Sequence, residues 1–159
     1  MIITIMMTIF LAQAEHAHQH GHAKLDIAFE GQKGKIELEA PSDIFFGFEY
    51  APKTDAQKKL VKIKTAEVEN SIEKMILFDS QKSCKIQKEK TERVQTGKNH
   101  SEMRFSFQAE CQKPIVGSSV IFNIQSILPK AKDVDVQVIV DSLQKSIEAN
   151  KNGTRLELK

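Results

Sequence analysis

Alternation of apolar and polar side chains dominates this chain and predicts that it folds mainly as β-strands. The clearest run covers residues 133–140, where Val134, Val136 and Val138 share one face. Because successive strand residues point to opposite sides, such a run presents one face to a core and the other to solvent. Residues 22–40 alternate in the same way around a turn signal at 31–34, and Pro41 ends the pattern. This segment is therefore predicted to be a β-hairpin.

One region, residues 54–73, departs from the alternation and is predicted to be helical. Thr54 and Gln57 have the spacing of a capping box, in which each side chain hydrogen-bonds the other residue's backbone N–H. Apolar residues then recur at helical spacing: Ala56, Leu60, Ile63, Val68, Ile72, Met75 and Ile76. The pattern indicates one long or two short amphipathic helices.

The remaining chain returns to strand-like patterns. Residues 119–124 and 133–140 are predicted strands, and residues 146–158 are predicted to form a last hairpin around Gly153. Residues 44–50 are predicted to be an apolar, aromatic loop. Residues 23–159 thus form a single α+β domain, in which an antiparallel sheet with several hairpins packs against one or two helices.

The two cysteines, Cys84 and Cys111, are predicted to form a disulfide. A hairpin turn centred on Gly97 and Lys98 would place them directly opposite each other, with Cα atoms about 4.5 to 5.5 Å apart, which is within disulfide reach. An even number of cysteines fits an oxidising compartment. The alternative is a pair of reduced core thiols.

Residues 1–14 have the pattern of a signal peptide. They carry no charged side chain, and the apolar run from Ile2 to Leu11 is too short for a bilayer core, which needs about 20 residues. The run ends in a small-x-small site formed by Ala12 and Ala14, so cleavage is predicted after Ala14. No other stretch is long enough for a membrane span. The chain is therefore predicted to be exported to the periplasm as a soluble protein.

Residues 15–22 form a histidine-rich segment that follows the predicted cleavage site. It contains four of the five histidines, His16, His18, His20 and His22, at alternate positions. Imidazole is the commonest protein ligand for metals such as zinc. This density favours a metal-binding N-terminus.

The geometry of these ligands is left open by the sequence. Four alternate residues of a straight strand span about 20 Å, so they bind one ion only if the chain bends, and Gly21 permits a bend. One possibility is a single site built by His18, His20 and His22 with an outside ligand, for which His100 and Glu49 are candidates. The other is several loose sites.

Other classes of function have little support. The chain carries 23 basic and 21 acidic residues, a net charge of +2, and the basic residues are dispersed, so nucleic-acid binding is not expected. His100, Ser101 and Glu102 are neighbours on a predicted strand and cannot form a catalytic triad. No phosphate loop, dinucleotide fingerprint or zinc-protease motif is present, and an enzyme is not expected.

Several motifs resemble the ZrgA family of periplasmic zinc-uptake proteins. They are His20-Gly21-His22-Ala23 with the hairpin after it, residues 47–57 beginning Gly47-Phe48-Glu49-Tyr50, the Cys84 strand, His100-Ser101-Glu102, and residues 107–111 ending in Cys111. The resemblance implies an exported protein that binds zinc and assists a zinc-import system. Family members generally have a histidine where this chain has Tyr50, and often a histidine-rich insert that is absent here, so this chain has fewer potential ligands.

The combined prediction is a periplasmic zinc-binding accessory protein with a structural disulfide. Two alternatives remain at this point. One is a periplasmic protein that binds copper or nickel, since affinity order alone favours copper at nitrogen ligands. The other is an envelope interaction module without a metal role, with the aromatic segment from Phe45 to Tyr50 as its contact surface.

Overall fold

The structure is a computed structural model that describes residues 21–159, and within them the chain forms nine strands and two α-helices. The strands are β1 (His22–Glu30), β2 (Lys33–Pro41), β3 (Ile76–Phe78), β4 (Lys85–Gln95), β5 (Ser101–Glu110), β6 (Ser119–Phe122), β7 (Asp133–Val140), β8 (Leu143–Glu148) and β9 (Thr154–Glu157). The helices are α1 (Ser42–Phe46) and α2 (Asp55–Met75). The α+β prediction is confirmed.

The strands form two sheets, one with six strands and one with three. The larger sheet has the order β4-β5-β2-β1-β7-β8, and the smaller has the order β3-β6-β9. All neighbours are antiparallel except β1 and β7, which are parallel. The predicted β1–β2 hairpin is present, with Leu25 opposite Leu38 and Ile27 opposite Ile36.

The alternation seen in the sequence corresponds to one buried and one outward face of the large sheet. The inward side chains of its four central strands, among them Leu25, Leu38, Phe105 and Val136, are almost completely buried. One hydrophobic core joins them to the small sheet and to the second half of α2. The outward face carries the intervening polar residues.

Helix α2 begins with the predicted capping box. The Thr54 hydroxyl accepts a hydrogen bond from the Gln57 N–H at 3.2 Å, and the Gln57 side chain accepts one from the Thr54 N–H at 3.2 Å. A single 21-residue helix follows. Its fully buried positions, Val68, Ile72 and Met75, all lie in the second half, and the first half contributes the partly buried Val61.

The first half of α2 differs from the apolar stripe predicted for it. Leu60 is 36% exposed and Ile63 is 52% exposed. Helical spacing predicts which residues share a face, but it does not show whether another element covers that face. No described element buries these two side chains.

The disulfide between Cys84 and Cys111 is confirmed. Strands β4 and β5 form the predicted hairpin, in which Gln95 lies opposite Ser101, and a bulge between Lys88 and Lys90 shifts the register by one residue. Lys85 therefore lies opposite Glu110, and the two cysteines meet just beyond these strand ends with a Cα–Cα distance of 3.9 Å.

The predicted hairpin over residues 146–158 is wrong. Strand β8 pairs with β7 at the edge of the large sheet, whereas β9 pairs with β6 in the small sheet. The residues around Gly153 therefore connect two sheets. Two alternating segments and a turn signal favour a hairpin locally, but β7 gives β8 a partner through an even shorter connection, at Asp141 and Ser142.

The predicted loop over residues 44–50 is partly helical, since α1 covers Ser42–Phe46. Phe45 and Phe46 are buried, and Phe48 packs against the core. The phenyl rings therefore do not form the contact surface that the interaction-module alternative required. Tyr50 is the aromatic residue of this segment that is substantially exposed, at 41%.

None of the helices within residues 21–159 combines the length and the apolar character needed to cross a membrane. The predicted signal peptide with Ala12 and Ala14, and the ligands His16, His18 and His20, lie outside the described residues.

Candidate metal-binding end of the sheet

Both histidines of residues 21–159, His22 and His100, lie at the same end of the large sheet. Strands β1, β5 and β7 start at this end, which is called the His22 end below. His22 is paired in register with Asp133 of β7, and Pro41, the last residue of β2, is paired with Glu102 of β5. The disulfide and the turn between β1 and β2 lie at the opposite end.

His22 is fixed by contacts with β7 and with the residue just before that strand. Its Nε2 atom lies 2.9 Å from Oδ2 of Asp135, a hydrogen bond between two partly exposed side chains. Gly21 precedes it in a turn with φ +88°, and its carbonyl oxygen accepts hydrogen bonds from the N–H groups of Lys132 and Asp133. Glycine adopts this positive φ at no steric cost.

His100 belongs to a second, more constrained pair. Its Nδ1 atom lies 2.6 Å from Oε2 of Glu49. The His100 side chain is 56% exposed, whereas that of Glu49 is only 9% exposed. The carboxylate is thus held within the protein, whereas the histidine side chain is more than half exposed.

The backbone that carries Glu49 is tied to the sheet by two side chains. Arg93 of β4 donates to the carbonyl oxygens of Glu49 and Tyr50. The Ser101 hydroxyl donates to the Glu49 carbonyl oxygen at 2.6 Å and lies 2.8 Å from the hydroxyl of Ser42. Ser101 is therefore used in positioning this segment, and its hydroxyl bonds to groups other than the His100 ring.

Each pair has the arrangement that commonly supports a metal-binding histidine. When a carboxylate accepts a hydrogen bond from one ring nitrogen, it holds the proton there and orients the ring, so the other nitrogen is the one suited to coordinate a metal. In this geometry the coordinating atom would be Nε2 of His100 and Nδ1 of His22. Zinc normally needs three or four such ligands.

The two histidines are close, but they are not in contact. They are separated by two strand spacings and two residues along the strands, which corresponds to roughly 12 Å between Cα atoms. Across residues 21–159 no group of three or more His, Cys, Asp or Glu side chains is close enough to hold a metal ion. The described part of the chain thus supplies two separate starting positions for a site.

Most other carboxylates of the outward face near this end are paired with cations. Lys24 lies 2.9 Å from Asp26, and Arg104 lies 2.6 Å from Glu39 and 3.5 Å from Glu102. The hydrogen bond to Asp26 raises the pKa of Lys24 above its usual value, and the charges of Asp26, Glu39 and Glu37 act in the same direction. These acids are therefore partly neutralised by fixed positive charge.

A broad depression at the opposite end of the sheet is a less suitable metal site. Its lining includes the turn residues Glu30 and Lys33, together with Lys85, Glu110 and the disulfide-bonded Cys111. It contains no imidazole and no free thiol, and its carboxylates alternate with lysines.

The structure brings His100 and Glu49 together, although their separation of 51 residues hides this in the sequence. Asp135, the partner of His22, was not predicted. The alternation of residues 133–140 does indicate that Asp135 lies on the outward face of its strand. Identifying it as a neighbour of His22 also requires the parallel pairing of β1 with β7, which sequence patterns do not reveal.

The model of the family described as "ZrgA family zinc uptake protein" matches residues 17–158, which is nearly the whole chain. The chain belongs to the ZrgA family. This family is described by zinc uptake and not by a catalysed reaction. No curated protein sequence matches the chain. The ZrgA match includes the histidine-rich segment from residue 17, both histidine–carboxylate pairs and the two cysteines.

Proposed function

We propose that this chain is an exported zinc-binding accessory protein that assists zinc acquisition in the periplasm. The observation that carries the proposal is the pairing of His22 with Asp135 and of His100 with Glu49 at one end of the sheet. Membership of a zinc-uptake family indicates that the ion handled there is zinc.

The histidine-rich segment would supply further ligands toward the three or four that zinc normally takes. His16, His18 and His20 lie within six residues of His22 in the sequence, and we propose that they act together with it. His22 would act as the fixed ligand, and the preceding imidazoles would complete the coordination. His100 and Glu49 would provide a second position for an ion on its way to or from the segment. In this role zinc is cargo for transfer to a zinc-import system.

Zinc affinity should be tested by calorimetric titration of residues 15–159 and of three variants. Replacing His16, His18, His20 and His22 together by alanine should abolish the tightest binding, because it removes most of the imidazoles. His100→Ala should retain that binding and lose a weaker component. Unchanged binding in the four-histidine variant would contradict the proposal. Because imidazole must be neutral to coordinate and titrates near pH 6.5 on average, wild-type affinity should fall below that pH.

The third variant, Asp135→Ala, tests the role given to the His22 pair. Loss of a carboxylate that orients a metal-bound histidine typically lowers metal affinity about 10- to 100-fold. Glu148→Ala is the matched control, since Glu148 lies opposite Asp135 on β8 without contacting His22. Equal titration curves for the two variants would show that the pair of His22 and Asp135 does not contribute to zinc binding. Competition between zinc and copper in the same titration would identify the preferred metal.

A further inference from the structure

The first half of α2 carries an exposed patch formed by Lys59, Leu60, Lys62 and Ile63. Leu60 and Ile63 are three residues apart, Ile63 and Lys59 four, and Lys59 and Lys62 three, so the four side chains are successive neighbours on the helix surface. This surface points away from the core, which α2 contacts through Val68, Ile72 and Met75. We call it the α2 patch.

The charges of the α2 patch have no counterpart in the described part of the chain. The neighbouring lysines Lys58 and Lys64 are paired with Asp55 and Glu67, whereas Lys59 and Lys62 form no ion pair with any residue between 21 and 159. Residues 55–66 of α2 contain four lysines and one acidic residue, whereas residues 67–75 contain three glutamates and one lysine.

This distribution is unfavourable for the helix itself. Like charges three or four residues apart on a helix repel each other, and Lys62 has this spacing from both Lys59 and Lys58. In α2 the excess of lysine lies in the N-terminal half, and two aliphatic side chains are exposed beside it. A feature that opposes local stability and contributes nothing to the core is best explained by an external role.

We propose that the α2 patch is the docking site for an acidic protein partner. Helix side chains at i and i+3 spacing are the usual anchors for a helix that enters a groove on another protein, and a charged rim around them provides specificity and steers the encounter. The partner surface would present an apolar groove for Leu60 and Ile63, with carboxylates placed to meet Lys59 and Lys62. A membrane surface fits less well, because an interfacial helix needs a wide apolar face that inserts into lipid, and this patch has two aliphatic residues.

The partner can be identified by placing the photoreactive residue p-benzoylphenylalanine at position 63 of the full chain in cells of the source organism. The control position is Ile139, another exposed isoleucine on the outward face of β7. Irradiation should give one adduct at position 63 that is absent at position 139, with a protein of net negative charge. An adduct with lipid, an adduct between two copies of this chain, or equal labelling at both positions would overturn the proposal.

The affinity of the purified partner for this protein then tests the contribution of the α2 patch side chains. Lys59→Glu combined with Lys62→Glu should weaken binding at least tenfold and reduce its dependence on salt, and Ile63→Ser should weaken it several-fold. The matched charge control is Lys113→Glu with Lys151→Glu, two exposed lysines outside α2, which should change affinity less than twofold. A loss below twofold for the patch variant would overturn the proposal. Zinc titration of the patch variant should match wild type, so failure here is distinguishable from failure of the zinc proposal.

Discussion

At the scale of single residues, the contact between Gly34 and Phe29 shows how closely the large sheet is packed. The two residues are paired across β1 and β2, and the Phe29 ring lies directly over Gly34. The ring is almost completely buried and also makes an edge-on contact with Phe78 of the small sheet, with ring centroids 5.5 Å apart. Any side chain at position 34 must therefore displace a ring that joins the two sheets.

Gly34→Ala should destabilise the protein by about 1 to 3 kcal/mol, the usual range for overpacking a core. Its Cβ would lie 2.5 Å from Cδ2 and Cε2 of the Phe29 ring. Gly97→Ala is the control, because the nearest atoms to its Cβ, both in His100, are 3.6 and 3.7 Å away. Urea denaturation should show a change within about 0.5 kcal/mol for the control. Similar stability for the two variants would contradict the packing described.

At the candidate site, residue types in the sequence indicated which groups could bind zinc. The sequence did not predict how those groups are arranged. The histidines and Glu49 were recognisable from residue type, because imidazole and carboxylate are the groups that bind or support zinc. The contact between His100 and Glu49 depends on the path of the chain after α1. That path is set by hydrogen bonds from Arg93 and Ser101 to the Glu49 backbone. Such hydrogen bonds between distant segments leave no periodic pattern in the sequence.

At the scale of elements, short-range patterns predicted several features that the structure confirms, but not all of them. The β1–β2 hairpin, the capping box of α2 and the disulfide each depend on residues close in sequence or on one hairpin register. The last hairpin was wrong because β8 and β9 take their partners from different sheets. The exposure of Leu60 and Ile63 was missed because it depends on where the core ends.

The disulfide should stabilise the β4–β5 hairpin without affecting metal binding. It closes a loop with a sequence separation of 27 residues, for which the chain-entropy estimate is about 3 to 4 kcal/mol. The variant with Cys84→Ser and Cys111→Ala should lose about this much free energy of unfolding in urea. Zinc affinity should be unchanged, because the disulfide lies at the opposite end of a sheet whose central strand spans roughly 26 Å.

Reduction of the wild-type protein with dithiothreitol is the matched comparison for that variant. It removes the same bond without changing the packing of Cys111. Agreement between the two losses would assign the effect to the covalent link. A loss of zinc affinity on reduction would contradict the separation between the two ends.

At the scale of the whole molecule, the central strand β1 should resist local unfolding more than the edge strands and the first half of α2. This strand is hydrogen-bonded on both sides, to β2 and to β7, and its inward residues Leu25 and Ile27 are in the core. The edge strands β4 and β8 have one neighbour each, and the first half of α2 has no buried residue. Local opening is easiest where few apolar contacts must be broken.

Amide hydrogen exchange should therefore be slowest in β1 and in the facing parts of β2 and β7. Exchange in residues 55–65 of α2 should be among the fastest for regular structure, and β8 should exchange faster than β7. Peptide-resolved mass spectrometry measures these segments in one experiment. Equal protection of the first half of α2 and of β1 would show that the α2 patch is covered by something else in solution.

Because β1 pairs with β7, the candidate site can form only late in the synthesis of the chain. The ribosome synthesises His22 long before Asp135, its partner 113 residues further along the chain. The β1–β2 hairpin can form as soon as those residues are free, but Asp135 cannot meet His22 until the chain is nearly finished. An unfinished or truncated chain therefore carries the histidines without the carboxylate that orients the one nearest the sheet. The ion capture proposed for His22 therefore requires a nearly complete polypeptide.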